Sequence, residues 1–191
     1  MIEFDELTHT YRMSGVVVPS VTQVLADVRL IDLSMVPEHF LEKACEFGGI
    51  VHKATEYHDT GVLDETSIDD AVRGHVSGWA KFILDHSVQI FDIEMRVFSK
   101  KFKFAGTLDR IAMINDRLCV IDLKSGSKQK AYACQTAAYA FAYNEMTGEK
   151  IRDRYCVYLS EGTYKLEKHT DKLDENMFLN ALSLYNYKRR P

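Results

Sequence analysis

Asp122 and Lys124 stand two residues apart in the apolar run Cys119-Val120-Ile121-Asp122-Leu123-Lys124. In an extended strand such positions share a face, so the acid and the amine project together while Leu123 points away. Asp109 lies near the middle of the preceding apolar run, Phe104-Ala105-Gly106-Thr107-Leu108-Asp109-Arg110-Ile111, where a cross-strand neighbour of Asp122 would be. Glu94 lies in the run before that. Three carboxylates on adjacent strands repel one another unless a cation compensates them. Such an oxygen-rich set suits Mg2+ or Mn2+, which take carboxylates, water and substrate phosphate as ligands. The lysine then places an ammonium beside the ion. An ordinary ion pair is the other account of Asp122 and Lys124, although solvated charge is not the default at the end of so apolar a strand.

Bringing these residues together requires strands, and the pattern supplies them. Apolar residues alternate through VQIFDIEMRVF, KFKFAGTLDRIAMI and RLCVIDL, with polar turns at Ser99-Lys100-Lys101 and Asn115-Asp116. Tight connections between consecutive strands predict an antiparallel three-strand meander. The Ala-rich, Pro-free segment that follows predicts a helix stopped at Gly148, with Gln135 and Tyr139 one turn apart on one face. Residues 152–160 and 163–169 read as two more strands around Glu161-Gly162, and Leu173 to Tyr187 as a final helix. Ahead of the meander, the first twenty residues read as a short strand or hairpin, and Ser20 as the N-cap of a helix. Pro37 to Asp59 reads as helix interrupted at Gly48-Gly49, with a fresh segment from Ile50. Ser67 or Asp69 caps a third helix running through Trp79 to about Asp85. The expected architecture is one α/β (α+β) domain over 1–191, with a mainly helical part (1–88) and a sheet core with a C-terminal helix (89–191). Its central mixed sheet contains the meander and is flanked by helices.

Composition agrees with a folded enzyme-sized domain. The chain has 191 residues, 46% of them apolar, and a net charge of −4, which excludes disorder, collagen-like sequence and a disulfide scaffold. The cysteines at 45, 119, 134 and 156 form no CxxC pair, so neither a zinc knuckle nor a redox dithiol is expected. No P-loop motif is present. The acidic start MIEFDELTH carries no apolar signal region and no run approaches the ~20 residues of a membrane span, so a cytoplasmic protein is expected. Charge is unevenly spread. From Met95 to Lys130, nine bases face three acids, whereas from Ile31 to His75 three bases face ten acids. A local basic patch inside an acidic chain is the electrostatic footprint of a phosphate-backbone binder.

Taken in order, Glu94, then Gly106-Thr107-Leu108-Asp109, then Val120-Ile121-Asp122-Leu123-Lys124, then Gln135-x-x-x-Tyr139 resembles the PD-(D/E)XK nuclease superfamily. More narrowly, the chain resembles its RecB-type branch, which includes phage recombination exonucleases and the mitochondrial genome maintenance exonuclease. Gly49-Ile50-Val51-His52 matches the G-x-x-H setting of that branch's helical histidine, so five separated elements occur in the right order over about residues 48 to 145. Leu108 stands in place of the motif's proline, and the second acid is Asp rather than Glu, both within the branch's pattern.

The resemblance implies a restriction-endonuclease-like core and a metal-dependent DNA exonuclease of recombination, repair or phage DNA processing. The alternatives are a structure- or site-specific endonuclease on the same core, a catalytically inactive DNA-binding module, and a small-molecule enzyme or scaffold. By the same resemblance, His52, Asp109, Asp122 and the Leu123 carbonyl hold Mg2+ or Mn2+, with Glu94 a further ligand directly or through water. Lys124 orients or deprotonates the attacking water, and Gln135 and Tyr139 support the lysine and position the DNA strand. The products carry 5′-phosphates. Glu56, four residues past His52, is the candidate acceptor that orients the imidazole. Arg96, Lys100, Lys101, Lys103, Lys128 and Lys130 form the expected backbone-tracking patch. The iron–sulfur members carry a cysteine cluster near the C-terminus, where Cys156 stands alone, so no cluster is expected. The expected partner is DNA, single- or double-stranded with ends favoured, alongside a candidate recombination partner protein and no membrane. The expected setting is the cytoplasm of a bacterium or a phage-infected host.

Overall fold

The computed structural model describes residues 2–31 and 36–190. A small antiparallel sheet comes first, ordered β1 (Ile2–Asp5), β2 (Thr10–Met13), β3 (Val16–Val18). Helices α1 (Val21–Asp27), α2 (Glu38–Asp59) and α3 (Asp70–His86) lead to the strands β4 (Gln89–Ser99), β5 (Phe104–Ile114) and β6 (Arg117–Lys124). Helix α4 (Ala131–Thr147), strands β7 (Asp153–Ser160) and β8 (Thr163–His169) and helix α5 (Leu173–Tyr187) follow. The central sheet has five strands in the order β4-β5-β6-β7-β8. All its pairs are antiparallel except β6–β7, and α4 is the crossover that a parallel pair requires. This is the mixed α/β architecture that the strand and helix patterns predict.

Both faces of the sheet are covered, which is why β5 and β6 are apolar almost throughout. On one face Phe104, Leu108, Ile111 and Val120 pack with Val24 and Leu25 of α1, Ala138 and Ala142 of α4, and Phe178 of α5. On the other, Ala112, Ile121, Leu123 and Val157 pack with Val51 of α2 and with Trp79 and Phe82 of α3. Helix starts follow side-chain chemistry. Ser20 and Gln23 form a reciprocal capping box on α1, and Asp69 accepts from the Ala71 N–H at the start of α3. Gly48 and Gly49 do not interrupt α2, which runs unbroken through both. Two glycines cost a helix interior roughly 2 kcal/mol, less than this helix recovers by burying Val51, Ala54 and Thr55. Among the described residues no helix is long and apolar enough to cross a membrane.

The feature that creates the site is a fork. The β5–β6 register runs from Ile114↔Arg117 to Arg110↔Ile121 and stops there, although both strands continue. The next pair in that register is Asp109 with Asp122. Beyond the stop, β6 stays paired with β7 as far as Lys124↔Tyr158, and β5 stays paired with β4 as far as Phe104↔Ser99. The edge of β5 that β6 has left is taken up instead by the entry to α1. The Ala105 N–H donates to the Pro19 carbonyl at 3.0 Å, and Ser20 forms a parallel bridge with Ala105.

Helix α3 approaches the β7–β8 turn closely enough to require glycine. A Cβ on Gly78 would lie 2.3 Å from the Thr163 carbonyl oxygen and 3.0 Å from that of Ser160. Alanine improves helix propensity by about 1 kcal/mol, but the opposing main chain cannot rotate away, and overpacking costs about 1–3 kcal/mol. Gly78→Ala is therefore expected to lose up to about 2 kcal/mol net, read as a lower midpoint in urea unfolding with an unchanged slope.

Candidate active site

Where β5 and β6 part, the Leu123 N–H would lack a ladder partner. Asp109 supplies one, its Oδ2 accepting that N–H at 2.6 Å. The carboxylate is thereby fixed at the mouth of the fork, with its other oxygen turned toward α2. Helix α2 brings His52 to the same point. The imidazole Nε2 lies 3.1 Å from the Leu123 carbonyl, while Nδ1 lies 3.6 Å from Asp109 Oδ1 and 3.8 Å from Glu94 Oε1. Glu94 reaches inward because β4 departs from regular strand geometry. Its register shifts between Ile90 and Asp92, and Glu94 itself has φ +48°. A non-glycine residue there costs on the order of 1–3 kcal/mol, and such strain concentrates at functional sites.

His52, Glu94 and Asp109 offer ligand atoms that all lie within 4.8 Å of one another. One imidazole and two carboxylates are a donor set that fits a divalent metal ion. The structure therefore brings together three of the five expected ligands as side chains, with the Leu123 carbonyl against the imidazole. Asp122 lies outside that group of three. Its Oδ2 is 2.6 Å from Lys124 Nζ, and the Cys156 thiol donates to the same oxygen at 3.9 Å.

Lys124 is held on several sides. Besides Asp122, its ammonium donates to Gln135 Oε1 at 3.1 Å and lies 4.3 Å from the centre of the Tyr132 ring. Gln135 Nε2 in turn donates to the Tyr139 hydroxyl at 3.1 Å. Gln135 and Tyr139, which their spacing places on one face of α4, thus form a chain of hydrogen bonds to the lysine. Gly106 makes room for it, since a Cβ there would stand 2.7 Å from Tyr139 Cε1.

The charges are mutually dependent. Burial opposes the His52 imidazolium, but the carboxylates of Asp109 and Glu94 outweigh it and push the ring up to about 9. Burial also opposes the Lys124 ammonium, yet Asp122 and Asp109 hold it above its ordinary range. Burial raises Asp122 against the pull of Lys124.

Glu56 does not orient His52. Its carboxylate takes both its hydrogen bonds from Lys53, at 2.9 and 2.8 Å, and the ring's partners are Leu123, Asp109 and Glu94 instead. The reason is geometric: the His52 face that meets the sheet is already supplied with acceptors by the fork. The pattern also leaves a buried cluster unannounced. Arg110, fully buried beside Asp109, pairs with Asp59 at 2.7 Å and donates to the Thr55 hydroxyl at 3.2 Å. The signal was a charged residue inside an apolar strand, the same signal that marks Asp122.

The basic residues divide. Lys100, Lys101 and Lys103 lie exposed on the β4–β5 turn and Lys130 is exposed at the start of α4. Among the described residues these four make no ion pair, whereas Arg96 is 3.4 Å from Glu6 and Lys128 pairs with Glu167. Asp109 lies five positions beyond Phe104, which places the turn about 17 Å along the strand from the carboxylates at ~3.4 Å per residue.

A forked mixed sheet with acids on both tines and a lysine two residues beyond one of them defines a class of nuclease. The model of the PD-(D/E)XK nuclease superfamily matches residues 28–183, and the chain belongs to that superfamily. Its nucleases use divalent metals, and the His52–Glu94–Asp109 group is the candidate site for one. No curated protein matches the chain. Among solved structures, a Eubacterium rectale protein described as a candidate exonuclease has a TM-score of 0.51 at 9% identity. The match covers 74% of this chain and 65% of that one, so the chain spans just under two thirds of that neighbour, and the likeness is one of fold. An alkaline exonuclease from Laribacter hongkongensis gives 0.41 at 10% identity, over 73% of this chain and 77% of that one.

The imidazole provides a check on the geometry. A histidine raised in the folded state adds stability that is complete below about pH 6.5 and is lost as pH rises through its folded value. In metal-free protein the His52 ring is expected to titrate near pH 9 by NMR. The melting-temperature advantage of wild type over His52→Gln should accordingly shrink between pH 6.5 and 9. A ring titrating at or below 6.5 would contradict the arrangement.

Proposed function

We propose that this protein is a divalent-metal-dependent deoxyribonuclease that hydrolyses phosphodiester bonds from DNA ends, serving recombination, repair or phage DNA processing. The observation that carries the reading is the convergence, at one fork in the sheet, of His52, Glu94 and Asp109 from three elements beside a clamped lysine. His52, Glu94 and Asp109 would hold Mg2+ or Mn2+, with Asp122 and the Leu123 carbonyl adjoining them. The ion supplies Lewis acidity and neutralises charge that grows on the phosphate.

Lys124 supplies the complementary cation. Asp122 and Asp109 hold its ammonium above the ordinary lysine range in the metal-free protein, and as an ammonium it donates a hydrogen bond to the reacting phosphate and orients the nucleophile. Gln135, fixed by Tyr139, directs the ammonium, and an amide and a phenol do so without adding charge. Tyr132 closes the remaining side of the lysine with its half-buried ring. Lys100, Lys101, Lys103 and Lys130 follow the DNA backbone, so binding weakens as salt rises. Arg96 and Lys128 contribute after exchanging Glu6 and Glu167 for phosphate.

The test is end-labelled linear DNA with Mg2+ or Mn2+, alongside closed circular DNA. Wild type is expected to release nucleotides from the linear substrate and to spare the circle. Lys124→Ala is expected to lose roughly 10²–10³-fold in turnover while still retarding DNA in a gel. Cleavage of the circle would reassign the activity to an endonuclease, and DNA binding with no metal-dependent cleavage would leave only a binding module.

A further inference from the structure

We propose that Arg110 is the positioning residue of the metal site, a single buried guanidinium that sets the three ligand-bearing elements in mutual register. The inference rests on the metal-site reading above and adds a residue that neither binds the ion nor reaches substrate.

Arg110 has no exposed surface, and its donors are spent in four directions. Nη1 donates to the backbone carbonyl of Asp109 at 2.7 Å and lies 3.4 Å from Glu94 Oε1. Nη2 donates to the Thr55 hydroxyl, and that hydroxyl donates to the His52 carbonyl at 2.8 Å. Nε donates to Asp59 Oδ2 at 2.7 Å. Each of the three candidate ligands is therefore tied to this guanidinium: Asp109 by its main chain, Glu94 by its carboxylate, and His52 through one hydroxyl. Asp59 fixes the guanidinium in turn, its other oxygen accepting the Trp79 indole N–H at 2.7 Å, with the Trp79 ring 5.7 Å from the guanidinium carbon.

A core ion pair needs only Asp59 and Arg110. What such a pair leaves unexplained is the reach of Nη1 to both ligand strands and the strained backbone of Glu94, which directs its carboxylate toward the guanidinium. The planar fork of arginine can serve all these acceptors at once, whereas the single ammonium of lysine cannot. Partners of this kind, one step removed from the metal, typically change metal affinity 10–100-fold when altered.

The experiment measures Mn2+ binding by calorimetry, and separately the Mn2+ concentration giving half-maximal cleavage, in wild type and two variants. Arg110→Lys keeps the charge and loses the fork. Arg110→Met with Asp59→Asn removes both buried charges, leaves an amide oxygen for Trp79, and so avoids stranding either ion. Melting in the absence of metal reports folding. Both variants are expected to bind Mn2+ at least ~10-fold more weakly, with the cleavage deficit shrinking as Mn2+ is raised. Wild-type Mn2+ affinity in either folded variant, or failure of the double variant to fold, would overturn the assignment and leave Arg110 a residue of the core alone. If wild type itself takes up no Mn2+, the metal-site reading falls, an outcome visible without either variant.

Discussion

One hydrogen bond organises the active region: the Leu123 N–H, released by the parting of β5 and β6, is received by the Asp109 carboxylate. A buried amide must find a partner, and here the partner is a side chain that also carries charge. The sheet thus ends its own pairing in a way that delivers an acid to a defined point. The next residue along β6 is Lys124, and the facing residue of α2 is His52. Their positions follow from the same parting, since both address the segment that β5 no longer covers.

The electrostatics show how such a group tolerates three acids. Glu94, Asp109 and Asp122 each have a cationic neighbour: Arg110 and His52 for Glu94, His52 for Asp109, and Lys124 for Asp122. Lys124 and Arg110 are permanent members of this balance. The imidazolium is the exchangeable one, because its charge is carried by a proton. In the proposed metal site, a divalent ion among His52, Glu94 and Asp109 would take over the compensating role of that proton.

Much of this was legible in the sequence because it follows from local rules. Alternation located β4, β5 and β6, the apolar setting of Asp122 and Lys124 marked them as more than surface charge, and the four-residue spacing of Gln135 and Tyr139 placed them on one helical face. Three things were not legible. The continuity of α2 through Gly48-Gly49 depends on tertiary burial, which outweighs propensity. The role of Glu56 was decided by Lys53, a neighbour three residues away whose side chain reaches it first. The fork itself has no local sequence signature, because what adjoins β5 beyond it is residues 19 and 20, some eighty-five positions upstream of Ala105. Arg110 was visible only as an anomaly, a full charge where an apolar residue belongs.

That distant contact gives the small N-terminal sheet an importance its composition does not suggest. The family match begins at residue 28, past β1, β2, β3 and the Pro19-Ser20 contact. The Tyr11 hydroxyl nevertheless bonds the Thr107 hydroxyl at 2.8 Å, and Pro19 and Ser20 line the free edge of β5 at Ala105. A chain cut back to the family match would keep all the motif residues but leave the Ala105 N–H and the Thr107 hydroxyl on β5 without these partners. The strand that carries Asp109 is thus finished along its free edge by a segment that holds none of the candidate chemistry.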